Sequence, residues 1–194
     1  MIAGWRGLVS GPPDELVADS LVLLDHLGDA HTVVDVGSGG GLPGLPLKIG
    51  RPDLAITLLE ADQAKAAFLV QACAALGLPG VEVVARRAED AGHDLRYREA
   101  FDLAVARALA PMPVLAELCL PFVRPGGRLL AQKTDREEVE AAARALEVLG
   151  GSLESVHAAP STARRAGVVV VVAKVTSTPA EYPRRAGVPR RRPL

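Results

Sequence analysis

The chain has 194 residues, of which 49% are hydrophobic and only 3% aromatic, so its length suits one domain with a core of Leu, Val and Ala. A net charge of −1 argues against a strongly basic nucleic-acid binder, and no apolar run approaches the roughly 20 residues of a membrane span. The charge is nevertheless uneven, because residues 1–155 carry 14 basic and 22 acidic side chains and residues 156–194 carry 8 and 1, so the carboxyl-terminal end could meet an anionic partner.

A short helical lead-in is predicted over residues 1–30. Residues 1–13 are rich in glycine and proline and look loose, whereas from Asp14 apolar residues recur at helical spacing until Gly28 stops the pattern. The main domain is predicted over residues 31–176. It opens with a β-branched strand at residues 32–36, which breaks into glycines before a helix can start near Leu45.

The glycine-rich turn is the strongest local signal in the chain. Gly37, Gly39 and Gly41 follow Asp35 in the spacing G-x-G-x-G, which differs from the G-x-G-x-x-G of dinucleotide-binding turns. This version resembles motif I of class I methyltransferases, whose ligand is S-adenosylmethionine. Glycines there allow the ligand to approach the main chain closely, so Asp35, Gly37, Gly39 and Gly41 are predicted cofactor-binding residues. A glycine-rich loop without a ligand is the alternative.

An acidic residue ends the next predicted strand, at residues 55–60. Glu60 follows Gly37 by 23 residues, close to the roughly 20 at which such folds place a carboxylate that accepts both ribose hydroxyls. Two carboxylate oxygens suit two vicinal hydroxyls. Asp62 is the competing candidate, and a solvated acid at a strand end is the alternative.

Two later strands deliver further candidates to the same sheet edge. After a helix at residues 63–76 and a strand at 81–84, Ala88 and Glu89 are predicted beside the adenine. A strand at 101–106 brings Arg107 to the edge, where it could hold the methionine carboxylate or a substrate phosphate, or pair with a neighbouring acid.

The remaining pattern completes a doubly wound α/β fold. A helix over residues 111–123, a strand at 128–133 and a helix with apolar residues 139–149 precede two strands at 152–159 and 167–175. Because no helix separates these last two strands, they should form an antiparallel hairpin at one edge. We therefore predict a mostly parallel, seven-stranded, Rossmann-like sheet, with an ending that suits a methyltransferase better than a dehydrogenase half.

The predicted tail, residues 177–194, is proline-rich and basic. Its composition predicts neither a helix nor a buried core, so the tail should lie extended along the surface or be mobile. Its arginines suit phosphate contacts, a merely charged terminus being the alternative. The predicted RNA-binding residues are Arg184, Arg185, Arg190, Arg191 and Arg192, together with Lys133 near the site.

Cysteine and histidine usage predicts a protein of a reducing compartment with no metal site. Cys73 and Cys119 stand alone in apolar stretches and read as core residues, and the four histidines are scattered. The first six residues do not look like a signal peptide. We expect a monomeric cytoplasmic protein.

Several motifs together resemble the RsmG (GidB) family. They are Val-Asp-Val-Gly-Ser-Gly-Gly-Gly-Leu-Pro-Gly-Leu-Pro at residues 34–46, Arg-Ala-Glu-Asp at 87–90, Arg-Ala at 107–108, Arg-Pro-Gly-Gly at 124–127 with Lys133, and the Thr-Pro to Pro-Leu tail at 178–194. Members of this family are class I methyltransferases that modify guanine N7 in bacterial small-subunit ribosomal RNA. The likeness runs from about Asp19 to the last residue.

The resemblance implies a function and a set of cofactor contacts. It implies methyl transfer from S-adenosylmethionine to N7 of a guanine in 16S ribosomal RNA, free or within the small subunit, by alignment and without a general base. It places Gly37, Leu42, Ala88, Glu89 and Arg107 against the cofactor, with Glu60 at the ribose. The alternatives are a non-catalytic RNA-binding or assembly protein of the same fold and a nicotinamide-dependent oxidoreductase.

Overall fold

A computed structural model describes residues 11–134 and 137–194, and residues 1–10 of the predicted lead-in lie outside this range. Seven strands form one sheet in the order β3-β2-β1-β4-β5-β7-β6. The first five strands pair in parallel, whereas β7 pairs antiparallel with both β5 and β6. The predicted fold class, including the antiparallel hairpin at one edge, is confirmed. The strands are β1 Thr32–Val36, β2 Ala55–Leu59, β3 Val81–Val84, β4 Phe101–Arg107, β5 Val123–Lys133, β6 Gly151–Ala158 and β7 Val168–Lys174.

Helices connect the parallel strands and extend the chain beyond the hairpin. They are α1 Pro13–Leu21, α2 Gly44–Gly50, α3 Gln63–Leu76, α4 Ala88–Ala91, α5 Met112–Cys119, α6 Glu137–Glu140, α7 Ala143–Val148 and α8 Val188–Arg191. The helix predicted over residues 63–76 has the bounds of α3. Asp62 caps its first turn, and Gly77, at φ +60°, ends it in the left-handed conformation that glycine adopts without strain. In the described chain, no helix has both the length and the apolar character to cross a bilayer.

Three of the predicted helices are shorter than expected. The helix predicted over residues 111–123 is α5, which ends at Cys119 and is followed by a 3₁₀ turn, Leu120–Phe122, before β5 begins at Val123. The lead-in helix α1 ends at Leu21 rather than near Leu27, and a single 3₁₀ turn, Leu24–His26, follows it. The hydroxyl of Ser20 donates to the carbonyl of Leu16 and so competes for the backbone where the helix ends. The helix expected over residues 139–149 is divided into α6 and α7.

The sheet separates two apolar layers, because side chains alternate between its faces. Val34 and Val36 lie in the layer that includes α5 and α7, whereas Val33 lies with Phe68 and Leu69 of α3 in the other layer. Burial of the central strands on both faces explains their continuous apolar runs. It also leaves the carboxyl ends of the strands as the place where polar side chains can collect.

The prediction that the tail forms no helix and buries nothing is wrong. Thr178, Pro183 and Pro189 are buried, and α8 begins after Gly187 with a proline in its first turn. The guanidinium of Arg98 donates to the carbonyls of Gly92, Thr178, Pro179 and Tyr182. The tail is thus fixed by polar anchors on the body, which its own composition does not reveal.

Candidate active site

A cavity of about 700 Å³ opens at the carboxyl ends of the parallel strands. In an open parallel sheet this edge is where ligands bind. Most of the predicted cofactor residues line it. They are Gly37, Gly39, Leu42, Glu60, Ala88, Glu89 and Arg107.

The glycine-rich turn forms one wall of the cavity with bare main chain. The amides of Gly37 and Ser38 donate to the carbonyl of Leu59, which ties the turn to the end of β2. Gly37 has φ +76°, and a Cβ there would lie 2.6 Å from Cδ1 of Leu109. A side chain at this position would therefore strain the backbone and displace the end of the Leu109 side chain, which also lines the cavity.

Two of the predicted cofactor residues, Asp35 and Gly41, do not line the cavity. Asp35 supports the glycine-rich turn from the interior of the protein. The Asp35 side chain is fully buried, and its Oδ2 accepts a hydrogen bond from the amide of Gly44 at 2.9 Å. Burial raises the pKa of Asp35 to about 7. Because Asp35 has no exposed surface in this structure, nothing supports the predicted direct contact between Asp35 and a cofactor. The hydrogen bond of Asp35 with Gly44 instead joins the turn to α2.

The structure distinguishes Glu60 from its competitor Asp62. Glu60 lines the cavity, where its Oε2 accepts from the amide of Gly39 and its Oε1 from the amide of Asp62, both at 2.8 Å. Asp62 instead points to α3, where Oδ1 accepts from the amides of Ala64 and Lys65. Each oxygen of Glu60 keeps a lone pair for a further donor, and the two backbone bonds orient the carboxylate.

Glu89 connects the cavity wall to the tail. Its Oε1 accepts from the amide of Gly187 at 3.0 Å, just before α8 begins. Ala88 and Glu89 form the start of α4, on the side of the cavity near β3. The residues predicted beside adenine therefore lie in the cavity, and one of them also holds the carboxyl-terminal segment.

Arg107 lies at the end of β4 with an acidic partner that the sequence did not identify. Its Nη1 is 3.2 Å from Oδ2 of Asp19, a fully buried residue of α1. Asp19 also accepts from Nε of Arg164 at 2.9 Å and from the hydroxyl of Ser161 at 2.5 Å. Burial raises the pKa of Asp19, but the bonds from Arg164 and Ser161 outweigh it and hold that pKa below its usual value.

The far side of the cavity is formed by residues that sequence reasoning missed. Gln132, at the end of β5, and Arg164, in the loop between β6 and β7, both line it, and both are hydrogen-bonded to Asp19. Leu16 of α1 lines it as well. These residues come from the lead-in helix, the end of β5 and the hairpin loop, where no local motif marks a site.

The cavity lining is predominantly basic. Among the described residues it contains two acidic side chains, those of Glu60 and Glu89, against seven basic ones: Lys65, Arg86, Arg87, Arg107, Lys133, Arg164 and Arg190. Lys133 donates to the carbonyl of Ala110, and Arg190 to that of Leu109. Two of the predicted RNA-binding residues, Lys133 and Arg190, thus lie at the cavity itself.

The other predicted RNA-binding residues lie outside the cavity. Arg184 forms a two-pronged ion pair with the buried Glu117, with Nε to Oε1 at 2.8 Å and Nη2 to Oε2 at 2.5 Å. This pair fixes the tail to α5. Arg185, Arg191 and Arg192 are exposed. No group of three or more potential metal-ligating side chains occurs in the described parts of the chain.

Comparisons with known proteins identify the family. The family model described as rRNA small subunit methyltransferase G (GidB) matches residues 13–166. The ribosomal RNA small subunit methyltransferase G of Moorella thermoacetica is 49% identical over 183 residues, covering 92% of this chain and 76% of the relative. That of Dehalococcoides mccartyi is 46% identical over 178 residues, covering 90% and 75%.

Solved structures show the same fold at low sequence identity. A geranyl diphosphate methyltransferase in complex with SAM superimposes with a TM-score of 0.63 at 15% identity, covering 82% of this chain and 85% of that one. TrmN from Thermus thermophilus gives 0.65 at 20% identity and covers 90% of this chain, which spans about half (52%) of that protein. The resemblance predicted from the motifs is confirmed, and the chain belongs to the rRNA small subunit methyltransferase G family.

Proposed function

We propose that this protein transfers the methyl group of S-adenosylmethionine to N7 of a guanine in 16S ribosomal RNA. The observation that carries the proposal is a single cavity with two chemically distinct ends. A bare glycine turn and the oriented carboxylate of Glu60 form one end, and Arg107, Lys133, Arg164 and Arg190 lie at the other. The first end suits a nucleoside and the second suits an RNA backbone.

The residues at the first end fit the proposed cofactor. Gly37 lines the cavity without a side chain and in the left-handed conformation, so a ligand can contact its main chain directly. Glu60 would accept hydrogen bonds from the two ribose hydroxyls, because each of its oxygens has given only one lone pair to a backbone amide. Ala88 and Glu89 would flank the adenine at the β3 side.

The residues at the second end fit a polyanionic substrate. Four of the seven basic side chains of the lining lie at this end, and together they create a positive potential that attracts phosphates and raises their local concentration. The chain's net charge of −1 does not conflict with this, because its acidic side chains mostly lie elsewhere in the sequence. Local charge at the site, rather than the sum, decides which ligand approaches.

The chemistry requires alignment more than acid–base catalysis. S-adenosylmethionine supplies a methyl group made electrophilic by its sulfonium. Guanine N7 has a free lone pair and loses no proton on methylation, and within the described residues no histidine lines the cavity. The protein's task would be to hold the base in line with the methyl group and to exclude water.

Transfer of tritium from labelled S-adenosylmethionine to unmodified ribosomal RNA tests the proposal. We expect label in 16S RNA, released as 7-methylguanine and mapped to one position. Parallel reactions with naked RNA and with assembled small subunits would identify the substrate form. Label absent from both, despite measured cofactor binding, would favour the non-catalytic alternative. Preferential binding of a nicotinamide cofactor would favour an oxidoreductase. The monomeric state and cytoplasmic location stay predictions.

A further inference from the structure

Two buried side chains of the cavity wall each keep one polar atom without a partner. Gln132 is 2% exposed and the Arg164 side chain is 10% exposed. Within residues 11–134 and 137–194, Oε1 of Gln132 and Nη2 of Arg164 make no hydrogen bond. Unsatisfied buried polar atoms cost free energy, and both of these belong to side chains that line the cavity, which points to a ligand that satisfies both. Each atom has less than 1 Å² of accessible surface in this structure, so the two side chains must turn towards the cavity to meet that ligand.

The remaining bonds of these side chains fix what each free atom can do. Nε2 of Gln132 donates to the backbone carbonyl of Asp19 at 2.7 Å, so its free Oε1 is an acceptor. Nε of Arg164 donates to the Asp19 carboxylate and Nη1 to the carbonyl of Lys133, which leaves Nη2 as a donor. Asp19 therefore positions one acceptor and one donor on two side chains that line the same cavity.

The pair lies at the end of the cavity away from the proposed adenosine position. Glu60 follows β2 and Ala88 follows β3, whereas Gln132 lies near the end of β5 and Arg164 follows β6. The strand order β3-β2-β1-β4-β5-β7 places the glycine turn between these two groups. A cofactor that extends from Glu60 across the turn would thus direct its methyl group towards β4 and β5.

We propose that Arg164 and Gln132 recognise the target base as guanine, with Nη2 of Arg164 donating to O6 and Oε1 of Gln132 accepting from N1–H. This inference rests on the proposed function. O6 and N1–H are neighbours on guanine and form one acceptor and one donor. Adenine also carries N7 but has the opposite polarity at these two positions, a donor at N6 and an acceptor at N1. With adenine, the donor Nη2 of Arg164 would face the donor N6 and the acceptor Oε1 of Gln132 would face the acceptor N1, so neither hydrogen bond could form.

The same contacts support the reaction as well as the choice of base. As the methyl group arrives, the purine becomes positively charged and its N1–H becomes a stronger donor, so the bond to Gln132 strengthens towards the transition state. The positive charge of Arg164 would oppose this change. Its direct ion pair with the carboxylate of Asp19 offsets that repulsion.

Base analogues test the proposal on the unaltered protein. The mapped guanine is replaced in the RNA by inosine, which keeps O6 and N1–H, or by 2-aminopurine, which lacks both and keeps N7. We expect inosine to be methylated within about threefold of guanine and 2-aminopurine at least about 100-fold more slowly in kcat/KM, because both buried groups lose their partners. Equal rates for guanine and 2-aminopurine would overturn the proposal.

A pair of matched variants tests the assignment to Arg164. Arg164→Lys keeps the charge but loses Nη2, and Arg165→Lys makes the same change at the exposed neighbouring residue. We expect Arg164→Lys to reduce methyl transfer at least about tenfold and to narrow the difference between guanine and 2-aminopurine. Arg165→Lys should change neither the rate of methyl transfer nor the difference between guanine and 2-aminopurine.

Cofactor binding distinguishes the ways in which this could fail. The affinity for S-adenosylhomocysteine, measured by titration calorimetry, should be the same in both variants and the wild type. The Tm of Arg164→Lys should fall, because lysine cannot keep the Nε and Nη1 bonds to Asp19 and Lys133, whereas the Tm of Arg165→Lys should not change. An equal loss of cofactor affinity and of methyl transfer in Arg164→Lys would overturn the proposal by assigning Arg164 to the cofactor. Wild-type protein that binds the cofactor but leaves guanine RNA unlabelled would overturn the proposed function, and with it this inference.

Discussion

Glu60 and Asp62 are two acids of neighbouring position with different tasks. Glu60 accepts two backbone amides and lines the cavity, whereas Asp62 caps α3. We expect Glu60→Gln to raise the Kd for S-adenosylhomocysteine about 10- to 100-fold, because charge-assisted bonds to the ribose are lost and an amide group would oppose a backbone N–H. Titration calorimetry measures the effect.

Asp62→Asn is the matched control for that prediction. Asparagine is as good a helix cap as aspartate, so we expect the Kd for S-adenosylhomocysteine to stay within about twofold of the wild type. A larger loss of affinity in Asp62→Asn than in Glu60→Gln would assign the ribose to Asp62 instead.

Asp35 predicts a pH dependence of stability. Burial raises its pKa from 3.8 to about 7, even though the Gly44 amide favours the charged form. A carboxyl group with a raised folded pKa stabilises the fold fully below its unfolded pKa, and this contribution is lost as the pH rises through the folded pKa. We expect the free energy of unfolding to fall between about pH 4 and pH 7 and Asp35→Asn to show less of this decline. Urea titrations of both proteins at several pH values measure this; parallel pH profiles would contradict it.

Sequence reasoning succeeded at residue scale where the signal is local. The turn and the strand-end position of Glu60 can be read within about 30 residues, because a strand, a turn and a helix follow directly on one another. Asp19 could not be linked to Gln132 or Arg164 in this way, since they lie 113 and 145 residues further along the chain. Only the folded sheet, which brings α1 beside the hairpin loop, joins them.

At element scale, the tail is attached to the body through a buried ion pair. Glu117 is fully buried and Arg184 holds it with both prongs of the guanidinium. Arg184→Ala should lower the free energy of unfolding by about 3 kcal/mol, because the buried carboxylate loses its charged partner. This value is at the low end of the usual range, since the backbone amide of residue 184 still donates to Glu117. Urea denaturation measures the change.

The neighbouring arginine provides the comparison for the tail. Arg185 is exposed, and we expect Arg185→Ala to change the free energy of unfolding by no more than about 0.5 kcal/mol. Equal effects of the two substitutions would show that the tail's attachment does not depend on Glu117. The source of the tail's order also explains why the sequence did not predict α8. It has no apolar periodicity of its own, and its order comes from Arg98, Glu117 and Glu89, all on the body of the protein.

At the scale of the whole molecule, the position of the charged side chains matters more than the net charge. The arginine-rich part of the tail is fixed to α5 by Arg184 and to α4 by the bond between Gly187 and Glu89, and these contacts bring Arg190 to the cavity. The fold could be predicted as a whole because the strands and most of the helices before the tail are marked by their own apolar patterns. The side of the molecule on which the tail lies could not, because that depends on the polar anchors described above.

The exposed arginines of the tail give the last prediction. Arg185, Arg191 and Arg192 are exposed and lie outside the cavity, so changing all three to Gln should leave the Tm and the affinity for S-adenosylhomocysteine unaltered. If each of the three contacts one phosphate, the plot of log K for RNA binding against the logarithm of the salt concentration should become less steep. Its negative slope should decrease in magnitude by about 2, at roughly 0.7 per contact on single-stranded RNA. Filter binding from low to moderate salt measures the slope. An unchanged slope would remove the tail from the RNA-binding surface and leave that role to the cations of the cavity.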